Sequence, residues 1–191
     1  MKRSAKILLG LFLLGAALAG AAESIVVGFE GAEPGAWIKL WKEQGVVCHL
    51  AWEPKKSKAA GRLTVFPHLA TGNKGLLCAM ADEPIPVQLD FPQAASKVTV
   101  VFWASTGCAA VLEGLDAAGQ VVDTARLPVA PARTAPGDPV PFFELSVAGP
   151  ALAAVRFSGP RPGEFLAADE VRITPADVQP QPAVPARRAQ E

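Results

Sequence analysis

Tyrosine is absent from the 191-residue chain, histidine occurs twice and cysteine three times. Structural zinc is usually held by closely paired Cys and His ligands, and no two cysteines here stand two residues apart. A site drawn from Cys48, His49, His68 and a further cysteine would have to be collected from distant segments. A Gly-x-Ser-x-Gly nucleophile elbow is also missing. Ser105, which follows an apolar run, has only His49 or His68 as a base, and a triad is a matter of geometry rather than spacing. Excess charge of either sign is lacking, with 18 basic against 18 acidic residues. Nucleic-acid binding depends on clustered Lys and Arg neutralising phosphates, so this balance argues against such a partner. The one interior basic cluster, Lys55, Lys56 and Lys58, follows Pro54 and reads as a solvated loop. Nor does any apolar run reach the roughly 20 residues that a membrane-spanning helix needs.

What is present begins with an export pattern. Lys2, Arg3 and Lys6 precede an apolar run over residues 7–18 and the small residues Ala19, Gly20, Ala21 and Ala22, which together predict a signal peptide over 1–22. Its removal leaves 15 basic against 18 acidic residues and no membrane span. The expected location is secreted or periplasmic. At the other end, residues 175–191 are rich in Pro, Gln and Ala, cannot bury enough apolar surface to offset ordering entropy, and predict a disordered tail. About 150 residues remain between, enough for one domain over 23–174.

Within that domain, short β-branched apolar runs alternate with Pro, Gly, Ser and Asp punctuation. The firmest occupy residues 87–91, 98–103, 110–115 and, after the turn signal Asp116-Ala117-Ala118-Gly119, 121–127. Further runs lie at 24–30, 46–52, 62–66, 76–80, 142–147, 152–157 and 170–174. This pitch predicts an antiparallel all-β domain, a β-sandwich. The prolines of the connecting stretches have no N–H to give to a ladder and predict loops or edges. Over 37–41 the pattern supports two readings: Trp37 and Trp41 stand four apart as on a helix face, while Ile38 and Leu40 alternate with Lys39 as in a strand.

Candidate site residues follow from chemistry. The loop carrying His68, Thr71, Asn73 and Lys74 concentrates hydrogen-bonding heads between two strands, as ligand-orienting loops do. Turn formation by Gly72, Asn73 and Gly75 accounts for the same residues without a ligand. Trp37 and Trp52 flank loops and are candidate ligand platforms, whereas Trp103 ends a run apolar on both faces and is expected in the core. Export permits disulfides. Cys48 and Cys78, both in apolar strand-like runs, are the first pair to consider, and burial of all three thiols is equally consistent. Carboxylates for glycoside hydrolysis would have to come from Glu113, Asp116 and Asp123, the first two of which point to opposite faces if the strand continues through them.

Phe29-Glu30, Gly45-Val46-Val47, Thr71-Gly72-Asn73-Lys74-Gly75, the run from Pro86 to Pro92, Leu115-Asp116-Ala117-Ala118-Gly119-Gln120 and Ala168-Asp169-Glu170-Val171 together resemble the galactose-binding-like jelly rolls of secreted bacterial proteins. The resemblance spans residues 25–174 and rests on strand order and turn placement. It implies a jelly-roll sandwich and a non-enzymatic binding module, with a carbohydrate or cell-envelope component as partner. A structural or partner-protein module and, further off, a secreted hydrolase are the alternatives. It also implies a structural calcium held by Glu30, Asp169 and Glu170, the acidic residues following the first strand and preceding the last.

Overall fold

The computed structural model describes residues 23–53, 63–68, 73–78, 85–104, 107–158 and 166–176, with backbone alone at 76–78. The predicted signal peptide, the Lys55–Lys58 cluster, Thr71, Ser105 and the tail beyond Ala176 lie outside them. The described residues form eleven strands: β1 (Ile25–Val27), β2 (Trp37–Ile38), β3 (Leu40–Glu43), β4 (Val46–Leu50), β5 (Leu63–Pro67), β6 (Lys74–Cys78), β7 (Val87–Ala104), β8 (Ala110–Leu115), β9 (Val121–Leu127), β10 (Phe142–Ser158) and β11 (Leu166–Pro175). All pairings are antiparallel. None of the described residues forms a helix, and so none forms one long and apolar enough to cross a membrane.

Local sequence fixes the turns. Gln44 and Gly45 both adopt positive φ, 49° and 81°, between the paired Glu43 and Val46. Two left-handed residues give the turn whose twist matches its flanking strands, so β3 and β4 form a tight hairpin. At the β8–β9 turn, Asp116 Oδ1 accepts from Ala118 N and Gln120 N, both at 2.9 Å, and Gly119 supplies φ of 76°. The undecided stretch 37–41 is two strands broken at Lys39: Trp37 pairs with Thr64 of β5 and Trp41 with Cys48 of β4, so the two indoles do not share a helix face.

Two long bent strands turn the sheet into a sandwich. Residues 87–90 of β7 pair with β4 and with the second half of β10, while residues 97–104 pair with β11 and the first half of β10. The bend falls at the exposed Pro92, Gln93 and Ala94 in β7 and at register breaks between Ala148, Leu152 and Ala154 in β10. Runs expected as four separate strands are therefore two continuous ones. Pro92 and Pro150 mark corners, where a missing N–H costs little. The front layer is β3-β4-β7-β10-β8-β9; the back layer is β2-β5-β6-β11-β7-β10, with β1 on β11. Pro175 belongs to β11, whose end is pinned by Ala176 N donating to Ala94 O at 2.9 Å.

One apolar core joins the layers. Leu89, Leu112 and Val155 from the front pack in the same buried cluster as Val65, Val100, Phe102 and Ile173 from the back. A smaller cluster lies on the outside of the back layer, where the Pro-rich connection lays Val140 over Trp103 and Ala167. Trp103 is thus buried as expected, but on the outer face rather than between the layers.

Candidate functional site

Side chains alternate across a strand, so registers decide which ones meet on a face. In the front layer Leu40 is paired with His49, His49 with Gln88, Gln88 with Arg156, Arg156 with Glu113 and Glu113 with Thr124. This places one row across six strands, on the face turned away from the core. A neighbouring row carries Val47, Asp90 and Ala154. Hydrogen bonds knit the polar members together. Gln88 Nε2 donates to Asp90 Oδ1 at 2.8 Å, His49 Nε2 meets Asp90 Oδ2 at 2.7 Å, and Arg156 Nε donates to Glu113 Oε2 at 2.5 Å. His49 Nδ1 meets the Leu50 carbonyl at 2.7 Å, so both ring nitrogens lie beside oxygen atoms.

At the β3–β4 end of the row a cleft of about 420 Å³ opens, with Val47, Leu40 and Leu50 as apolar lining and His49, Asp90, Lys39 and Glu53 as polar groups. That volume lies within the range of small-ligand sites, and mixed lining of this kind both holds and orients a ligand. Trp52, beside Glu53 in the chain, is 44% exposed, and Trp37 is 54% exposed. Both tryptophans proposed as platforms are therefore open to solvent.

The predicted ligand loop fares differently. His68 is 2% exposed: Nε2 lies 2.8 Å from the Val140 carbonyl, and its ring packs edge-on to Trp103 and tilted against Phe142. A surface ligand cannot reach it, so its assignment as a ligand contact is corrected to a packed, hydrogen-bonded role. Asn73 and Lys74 instead face the carboxylates at the end of the sandwich. Lys74 N donates to Glu30 Oε1 at 2.9 Å, and the Lys74 ammonium donates to the Glu30 carbonyl. Asn73 Nδ2 stands 3.5 Å from Asp169 Oδ2. Asp169 occupies the register break between Ala168 and Glu170, is 9% exposed, and its Oδ1 meets no hydrogen-bond partner among the described residues. Burial pushes its carboxyl above the usual range; the Asn73 amide opposes that shift, Glu30 adds to it, His68 opposes it, and Glu170 adds.

These residues do not fit the calcium that the jelly-roll resemblance implies. Calcium takes about six to eight oxygen ligands. Glu170, past the bulge, turns to the outer face and accepts from Arg172 Nε, which ties it into a pair with Glu144. Both the carbonyl and one carboxylate oxygen of Glu30 are already engaged by Lys74. Among the described residues no group of three His, Cys, Asp or Glu side chains is placed to hold a metal. Cys48 is a buried free thiol in the shared core with Val46, while the side chain of Cys78, its proposed partner, lies outside the described ones.

The acids considered for glycoside hydrolysis have structural partners. Glu113 pairs with Arg156, Asp116 shapes its turn, and Asp123 accepts from Thr124 N and Ala148 N, both at 2.8 Å. Sequence reading passed over Gln88, Asp90 and Arg156 as site residues. The signal was there in part, since Gln88 and Asp90 alternate with Val87, Leu89 and Phe91.

No family model matches the chain, and no curated protein matches its sequence. Among solved structures it is similar to the K1 cleaved adhesin domain of Lys-gingipain from Porphyromonas gingivalis W83, with a TM-score of 0.52 and 14% identity over 81% of this chain and 99% of that one. It is also similar to an arabinose-bound α-L-arabinofuranosidase, with a TM-score of 0.47 and 9% identity over 81% of this chain and 27% of that one. A family 29 carbohydrate-binding module from Piromyces equi gives a TM-score of 0.45 and 7% identity over 84% of this chain and 97% of that one. The adhesin likeness establishes a shared antiparallel β-sandwich fold of jelly-roll type; the other two are resemblances of outline.

Proposed function

We propose that the protein is an exported, non-enzymatic module that binds carbohydrate, as a free glycan or a cell-envelope component, on the outer face of its front layer. The observation that carries this reading is the row of His49, Gln88, Arg156 and Glu113, joined by Asp90 from the next row, running into an open cleft partly lined by Leu40, Val47 and Leu50. Sugars present hydroxyls in pairs around a ring with weakly apolar faces. Planar acceptors and donors held by each other on a rigid sheet match the hydroxyls, because little ordering entropy remains to be lost on binding. The exposed Leu40 side chain offers the apolar contact, and Trp52, next to the lining Glu53 in the chain, a further one. Export is supported by the basic, apolar and small-residue succession of residues 1–22.

A second reading has its own observation. Val121 and Val122 on the edge strand β9 are 43% and 46% exposed, and Val129 beyond it is 66% exposed, which suits a partner-protein surface. A glycan array separates the two. Saccharide binding that falls at least about tenfold in Asp90→Ala, with unchanged thermal unfolding, is the expected result. An array without binding would overturn the carbohydrate reading and leave the β9 surface as the functional one.

A further inference from the structure

The geometry points to Lys74 as a built-in substitute for a metal ion: its ammonium and backbone N–H hold the Glu30 oxygens at the end of the sandwich where Asp169 is buried, and the fold closes there without calcium. Three segments meet at this point. The turn after β1, which carries Glu30, is drawn tight by Ala32 N donating to Phe29 O at 3.0 Å, with Phe29 held at φ of 59°. The start of β6 is fixed by the pairing of Lys74 with Pro67. The bulge in β11 turns Asp169 inward, leaving its Oδ1 buried without a partner among the described residues.

A hard cation at this place would need the Glu30 oxygens, and Lys74 holds them twice, through its backbone N–H and through its side chain. A tethered ammonium satisfies the Glu30 carbonyl as a metal would, but it arrives with the strand and needs no supply from solution. Without it, the Glu30 carbonyl would lose its cation close to the Glu30 carboxylate and to the Asp169 carboxyl on which that carboxylate acts. That is the start of the oxygen set that calcium prefers. Sugar binding on the front layer plays no part in this argument.

The test is thermal unfolding of the full mature chain and of Lys74→Met, each in millimolar calcium and in chelator. Methionine keeps the backbone N–H and the stem but removes the charge. Wild type is expected to unfold within about 1 °C of the same temperature in both conditions, while Lys74→Met unfolds lower in chelator and recovers by about 3 °C or more in calcium. A wild-type chain that gains several degrees from calcium would overturn the inference, as would a Lys74→Met chain that ignores calcium. Should Lys74→Met fail to fold, Lys74→Arg takes its place: unfolding within about 2 °C of wild type supports the inference, and a larger loss overturns it.

Discussion

At the scale of single residues, Gly75 shows how little room the back layer leaves. A Cβ there would stand 2.8 Å from Trp103 Nε1, 3.0 Å from the Ala167 Cβ and 3.2 Å from Trp103 Cε2. The indole lies against the bare backbone of β6, and it is in turn held by His68 and Val140. Gly75→Ala must push the ring outward into that packing. Overpacking of this kind typically costs about 1–3 kcal/mol, so the urea midpoint should fall with an unchanged m-value. A variant as stable as wild type would mean that the indole can shift freely. Sequence reading took Gly75 for turn chemistry and His68 for a ligand contact. Neither correction was available locally, because Val140 stands 72 residues from His68.

At the scale of elements, the β3–β4 hairpin is fastened to the first strand and the turn after it by the Glu43 carboxylate, beside the Gln44 Nε2 bond to the Val26 carbonyl at 2.7 Å. Glu43 Oε1 accepts from Gly28 N, and Oε2 accepts from Phe29 N and from Trp41 Nε1, each at 3.1 Å. Glu43→Ala leaves three partly buried donors to find water. The expected loss is roughly 2 kcal/mol, read by chemical denaturation, with a red-shifted tryptophan emission as Trp41 gains solvent. An unshifted spectrum would show that the hairpin closes by its turn alone. Most strands were legible because alternation is a local signal that burial on one face imposes. The bends in β7 and β10 were not, since a proline at a corner and a proline in a loop leave the same trace in sequence. The polar row was legible strand by strand, as in Gln88 and Asp90, but its continuity across six strands depends on registers that only the folded sheet sets.

At the scale of the whole molecule, Cys48 reports on whether the two layers stay closed. Its thiol is fully buried in the core common to both layers, and burial, with Glu43 and Asp90 adding, pushes its pKa up to about 12. At pH 8 the folded protein then holds almost no thiolate at this position, and access is blocked besides. Labelling of Cys48 by a disulfide reagent, followed on its own peptide by mass spectrometry, should therefore run at the rate or equilibrium of opening, and should accelerate in step with urea-induced unfolding. The sign of the pH effect follows from the same shift. The folded state keeps its proton where the unfolded thiol has lost it, so stability is complete below the ordinary thiol range and declines as pH rises through it toward 12. Replacing Cys48 by Ala removes that alkaline decline while trimming the core slightly. Rapid labelling of the native protein at pH 8, without denaturant, would show that the layers part far more readily than a core shared between them allows.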